Sequence, residues 1–177
     1  MNATTVSVRQ LGAEEAYACN AALCDVLIDC VHGGASVSFM APLAGSKAQA
    51  FWRGVADGVA RGDRVLIVAE DEAGTIVGTV QLVFAQPENQ PHRADIAKML
   101  VHRRARRRGI GAMLMQAGEA AARAAGRTVL VLDTATGSDA ERLYQRMGWQ
   151  RVGVVPDYAL WPDGRMCATT YYTKAIA

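Results

Sequence analysis

Between Arg103 and Arg108 the chain places five arginines in six positions, and the run ends in Arg106-Arg107-Arg108-Gly109-Ile110-Gly111. A β-like run, Ala94 to Val101, comes just before it, and a helical pattern, Ala112 to Ala125, just after. A strand that feeds a helix through a short cationic loop calls for an α/β layer, with the strand in a sheet and the helix on its face. The same junction is built to seat an anion such as a pyrophosphate. Glycine lets the backbone come close, the first-turn N–H groups of the helix lack intrahelical partners, and the helix dipole favours negative charge there. Arginine adds planar, permanently charged donors that match phosphate oxygens.

The spacing excludes two common alternatives. No third glycine completes G-x-G-x-x-G, and no Gly-Lys-Ser/Thr follows as in a P-loop. A nucleic-acid surface is also disfavoured. The chain carries 19 Lys+Arg and 17 Asp+Glu, a net of +2; without the five loop arginines, 14 basic residues face 17 acidic ones, a net of −3. The basicity is one spot, whereas DNA binding spreads phosphate contacts over a face. Arg103 and Arg104 are expected to face water.

At 177 residues, 51% of them hydrophobic, one domain over 1–177 is expected, with chain enough for a substantial core. No apolar run reaches the length of a membrane span. Met1 to Thr5 lacks the basic-then-apolar pattern of a secretory leader, so a cytoplasmic location is expected. Cys19, Cys24, Cys30 and Cys167 form no C-x-x-C, and His32, His92 and His102 have no ligand spacing with them, so free thiols and no metal are expected.

The remaining pattern predicts a strand over Val6–Leu11 and a helix over Ala13–Val31, stopped by Gly33-Gly34. A capping box, Ser46-Lys47-Ala48-Gln49, is expected to open a helix with Trp52, Val55 and Val59 as its stripe, ended by Gly62. Strands Arg64–Glu70 and Ile76–Phe84 form a hairpin. Val129–Leu132 reads as a strand buried on both faces. A second capping box, Ser138-Asp139-Ala140-Glu141, opens a helix to Met147-Gly148. Trp149–Val155 and Met166–Thr173 close the chain as strands. The order βααβββαβαββ predicts a mixed sheet flanked by helices.

These residues resemble a known family. Arg106-x-x-Gly109-x-Gly111 matches the [Arg/Gln]-x-x-Gly-x-[Gly/Ala] signature of the GNAT N-acetyltransferases, and Ala140-x-x-Leu143-Tyr144-x-x-x-Gly148-Trp149 resembles their late helix. One departure is Gly137, where many members have Asn. The resemblance implies a GNAT fold with a mixed sheet of about seven strands, acetyl-coenzyme A as cosubstrate, and a small-molecule amine as partner, with a homodimer as a common assembly. It implies that the loop Arg106, Arg107, Arg108, Gly109, Ile110 and Gly111 holds the pyrophosphate, and that Met99, Leu100 and Val101 offer main-chain groups where the sheet splays. It implies Tyr144 as the acid for the departing thiolate. A closer resemblance links His32 to Met40, Arg93-Ala94-Asp95, Leu132-Asp133-Thr134 and Gly153 to Tyr158 with the tabtoxin-resistance acetyltransferases, which acetylate an amino-acid toxin on its free amine. It makes Asp95 and Asp133 the candidates for base or ammonium binding. The glycine hinges and small polar residues of His32-Gly33-Gly34-Ala35-Ser36 suit a mobile substrate lid, with His32, Gly33 and Ser36 as its candidate contacts. Against these stand plainer roles: a packing tyrosine at 144, a loop-capping Asp133, an Asp95 paired with Arg93 or Lys98, and a helix stop at Gly33-Gly34. A different amine or a protein N-terminus as acceptor, and an acyl-coenzyme A sensor without catalysis, are the alternatives.

Overall fold

The computed structural model describes residues 6–177, so Met1–Thr5, read above as carrying no leader, lies outside the described residues. The elements run β1 (Ser7–Leu11), α1 (Ala13–Ala18), α2 (Asn20–His32), α3 (Gly45–Ala60), β2 (Arg64–Glu70), β3 (Ile76–Phe84), β4 (Arg93–Val101), a short 3-10 turn (Arg103–Ala105), α4 (Ile110–Ala124), β5 (Val129–Ala135), α5 (Asp139–Arg146), β6 (Gln150–Leu160) and β7 (Met166–Ala175). The seven strands form one sheet in the order β1-β2-β3-β4-β5-β7-β6. Only the central β4–β5 pair is parallel; the others are antiparallel. No helix among the described residues is long and apolar enough to cross a membrane.

Two apolar layers fix the sheet between helices. On one face α4 and α5 press Ile110, Leu114 and Tyr144 onto Ile96, Leu130, Leu132 and Tyr172. On the other, α2 and α3 set Leu23, Leu27 and Trp52 against Leu66, Val68 and Leu100. Each such side chain taken fully out of water contributes about 1.5–3 kcal/mol. A polar lock crosses the first layer. Glu119 of α4 is buried and accepts from Trp149 Nε1 at 3.1 Å and from Lys174 Nζ at 2.8 Å, while Lys174 also donates to the Met147 carbonyl at 2.8 Å. The end of α5 is thereby tied to α4 and β7.

Several sequence expectations are revised. The first helix breaks at Cys19 (φ −85°, ψ 6°) into α1 and α2, so that each segment buries its own apolar side. The Ser46 capping box does not form: α3 starts earlier, with Ala44 in the N-cap position and no side-chain cap. At α5 the box is half formed. Ser138 Oγ accepts from the Glu141 N–H at 3.3 Å, but the Glu141 carboxylate reaches back one residue further, to the Gly137 N–H at 2.6 Å. Gly137, with φ 80°, supplies the left-handed turn this needs. β5 is not buried on both faces: Leu130 and Leu132 are buried while Val129 and Val131 are half-buried, and the strand runs on through Asp133 to Ala135. β6 continues past Val155 to Leu160 through Pro156, with a register shift between Val155 and Ala159.

Candidate active site

The parallel pairing of β4 with β5 covers only Arg93–Asp95 against Val129–Val131. Past these three pairs the strands part. Their divergence opens a cleft of about 1020 Å³, walled by Met99, Leu100 and Val101 on one side and by Asp133, Thr134 and Ala135 on the other. β4 beyond Asp95 thus faces the gap with a main-chain edge that β5 does not cover. One of its groups is already engaged: the Val101 carbonyl accepts from Arg106 Nε at 3.0 Å and from the Cys30 thiol at 3.5 Å.

The arginine run divides by task. Arg103 is anchored, its backbone N–H and Nε donating to the two Asp29 carboxylate oxygens of α2 at 2.8 and 2.9 Å; the expectation that it merely faces water is corrected. Burial opposes ionisation of Asp29, but the Arg103 backbone N–H and guanidinium outweigh it and hold the carboxyl below its ordinary value. Arg106 and Arg107 line the cleft, whereas Arg104 and Arg108 lie outside its lining. Arg107 has φ 61° and the next turn sets Gly109 at φ 77°, the left-handed cap from which α4 begins at Ile110. Left-handed residues on either side of Arg108 bring the first turn of α4, Ile110 to Ala112, into the cleft lining, a cradle suited to an anion. Gly111 has a different task. A Cβ there would sit 3.0 Å from Leu143 Cδ2, so the missing side chain lets α4 approach α5.

Tyr144 lines the floor of the same cleft, nearly fully buried, with ring centres 6.2 Å from Trp149 and 6.1 Å from Tyr172. Burial, reinforced by the nearby Asp133 charge, pushes its phenol well above the ordinary value, so the hydroxyl keeps its proton at neutral pH. Asp133 also lines the cleft, and its Oδ2 accepts from the Thr169 hydroxyl at 3.0 Å. Asp95 does not line it. Arg93 Nη1 donates to Asp95 at 2.5 Å, which is the plainer of its two expected roles. Burial raises its carboxyl, the Arg93 charge opposes the shift, and Asp133 adds to it.

The lid segment is split as well. Gly33 and Ser36 line the cleft, but His32 does not; its Nε2 accepts the Leu43 N–H at 3.1 Å and so closes the loop that follows α2. Gly33 is forced by packing, since a Cβ would meet Arg103 Cδ at 2.8 Å. Ser36 Oγ donates to the Leu160 carbonyl at 3.0 Å, and the Ala41 N–H donates to the Pro162 carbonyl at 3.1 Å, which ties the loop to the β6–β7 hairpin.

Lys98 is the site residue that sequence reasoning missed. Between Ala97 and Leu100, β4 carries one residue more than β3 does between Gln81 and Thr79, and Lys98 takes φ 49° in this bulge. The extra residue inverts the strand. Ile96 packs under α4, and strict alternation would send residues 98 and 100 the same way; instead Leu100 packs under α2 and α3, and Met99 and Val101 turn toward α4. Lys98 therefore enters the cleft, with Nζ 3.1 Å from Ser38 Oγ and 5.8 Å from the Phe51 ring centre. The available signal was a lysine in the middle of an otherwise apolar strand.

Comparison with known proteins fits this arrangement. The profile of the Acetyltransferase (GNAT) family matches residues 38–149. An uncharacterized N-acetyltransferase from the hisH–hisA intergenic region of Azospirillum brasilense is 35% identical over 113 residues, a match that spans 63% of this chain and 65% of that relative. Among solved structures, an N-acetyltransferase from Staphylococcus aureus Mu50 superposes with a TM-score of 0.80 at 18% identity, over 98% of this chain and 100% of the other. A phosphinothricin acetyltransferase of the GNAT superfamily from Sinorhizobium meliloti, solved in complex with acetyl-coenzyme A, superposes with a TM-score of 0.77 at 16% identity, over 97% and 88% of the two chains.

Proposed function

Because this chain belongs to the Acetyltransferase (GNAT) family, whose profile covers residues 38–149, we propose that it transfers the acetyl group of acetyl-coenzyme A to the primary amine of a small, amino-acid-like acceptor. The observation that carries this reading is one convergence. The parted β4 and β5 strands, the amide end of α4 and the Tyr144 side chain all meet in a single cleft. When bound, acetyl-coenzyme A supplies the acetyl group activated as a thioester. Its pyrophosphate fits the α4 cradle with Arg106 and Arg107, and the uncovered edge of β4 at Met99 and Leu100 suits its amide-bearing arm.

Tyr144 holds a proton at its hydroxyl for the leaving sulfur. A free thiol has a reference pKa near ~8.5 and tyrosine near ~10, so the protonated phenol is the stable donor at neutral pH. Asp133 binds the acceptor ammonium and draws its proton, directly or through water. Asp95, held by Arg93, acts at longer range through its charge. The finer acceptor reading is a toxin or antibiotic amine, supported by the resemblance of His32–Met40 and Leu132–Thr134 to tabtoxin-resistance acetyltransferases; this makes resistance the biological role.

The test is free-thiol release from acetyl-coenzyme A with amino acids, polyamines, peptides, phosphinothricin and a tabtoxin-type β-lactam as acceptors. Turnover with the β-lactam alone supports the resistance reading. Turnover with another amine keeps the chemistry and replaces the acceptor. Tight acetyl-coenzyme A binding without any turnover overturns the enzyme reading in favour of a sensor.

A further inference from the structure

Lys98 is a cation that the fold places in the cleft without a carboxylate to hold it. Among the described residues its partners are the Ser38 hydroxyl at 3.1 Å and the face of Phe51, 5.8 Å from the ring centre. Burial lowers its proton affinity, and Asp133 is near enough to restore part of it but not to bond it. A half-buried ammonium held by one neutral hydroxyl has incomplete compensation for the water it has lost. The fold accepts strain to put it there. Both ends of the Lys98–Ser38 contact sit in the left-handed region, at φ 49° and 79°, which disfavours side chains other than glycine.

The cleft is lined by Lys98 from the β4 bulge and Asp133 from the end of β5, beside Arg106 and Arg107 at the α4 cradle and Asp139, Arg142 and Arg146 of α5; Lys98 and Asp133 are the cation and the carboxylate that the two parted strands themselves supply. This pair of charges complements a zwitterion. Resting on the acetyl-transfer reading above, we infer that Lys98 is the specificity-determining residue for the acceptor, receiving its carboxylate while the amine lies toward Asp133. The acceptor class is thus the α-amino acids and amino-acid-like compounds that keep a free carboxylate. Simple amines and polyamines lack the group that Lys98 needs.

Two plainer roles compete. As a general base, Lys98 would act on every amine alike. As a strut holding the Ser38 loop to the sheet, it would affect every acceptor alike. A matched-pair experiment separates all three. The probes are methionine, glutamate and phosphinothricin, each beside the amine that lacks only its α-carboxylate. The readout is the ratio of kcat/KM for the acid to kcat/KM for its decarboxylated partner, measured in the wild type, Lys98→Met, Lys98→Arg and Ser38→Ala. Acetyl-coenzyme A affinity, measured by titration, reports on whether each variant is folded.

The expected result is a ratio well above one in the wild type. Lys98→Met lowers it by roughly 10–100-fold through the KM of the acid, the scale of a lost charge-assisted hydrogen bond. Lys98→Arg keeps most of it, and Ser38→Ala lowers it only a few-fold. A ratio that does not move in Lys98→Met, because both partners lose equally or neither loses, overturns the proposal. So does a wild type that prefers the decarboxylated amines. A wild type that turns over no amine at all, while binding acetyl-coenzyme A, overturns the transfer reading itself and this proposal with it.

Discussion

The two carboxylate oxygens of Asp29, in α2, accept from the backbone N–H and the Nε of Arg103, 74 residues further along, at 2.8 and 2.9 Å. This clamp fixes the start of the arginine loop against the opposite helical layer before the loop turns toward the cleft. Asp29→Asn weakens it, at a cost of about 1–2 kcal/mol after allowing for the half-exposed guanidinium, or roughly 2–8 °C in Tm. The sign with pH follows from the lowered Asp29 carboxyl. Its stabilisation is complete above the ordinary carboxylate value of ~3.9 and is lost as pH falls through the lower folded value. Thermal melts of wild type and variant should differ at pH 7 and converge in acid.

Tyr144→Phe keeps the ring between Trp149 and Tyr172 and deletes only the hydroxyl. The expected outcome is a fall in kcat of about 100-fold or more, with acetyl-coenzyme A affinity nearly unchanged. Steady-state kinetics beside a binding titration decides it; wild-type turnover in the variant removes Tyr144 from the chemistry.

The two loop glycines should fail for different reasons. Gly109→Ala meets no neighbour but forces a side chain to φ 77°, at a cost of about 1 kcal/mol or more. Gly111→Ala instead presses on Leu143, and Leu143→Ala should relieve part of that loss. A double-mutant cycle on acetyl-coenzyme A affinity should give coupling between 111 and 143 and none between 109 and 143. Gly111→Glu, which adds charge as well as bulk, should abolish binding.

Glu119→Gln leaves the Lys174 ammonium without its charge partner in a setting where Lys174 retains only 20% side-chain exposure. Urea denaturation should register a loss of about 2–4 kcal/mol. Replacing both residues together with apolar ones of similar volume should cost less than the single change, because no charge is then stranded.

The sequence carried the architecture where a local signal and the tertiary solution agree. The hairpin of Arg64–Glu70 with Ile76–Phe84, the Gly33-Gly34 stop and the Arg106–Gly111 junction are instances. It misled where tertiary packing overrode the signal. No glycine or proline marks the break at Cys19, and Ser46 was free to cap a helix that instead began earlier. Pro156 read as the end of a strand, yet β6 is an edge strand, where a missing N–H is tolerated. Part of the cleft lining was legible, at Arg106, Arg107, Gly109 to Gly111, Asp133 and Tyr144, because these residues lie in short local motifs. Lys98 was not, because a period-two reading assigns it to the α4 side and only the one-residue bulge, a property of the β3–β4 pairing, reverses it.

The hydrogen bond from Ser36 to the Leu160 carbonyl joins residues 124 positions apart, one after α2 and the other at the tip of the last hairpin. Two segments far apart in the chain, 33–38 and Trp161, thus share one part of the cleft lining, apart from the Arg106–Ala112 junction. On the proposed reading, variation in 33–42 and 160–165 can reshape the cleft around Lys98 and Asp133 without touching the α4 junction, and a chimera exchanging only those two segments should keep its acetyl-coenzyme A affinity.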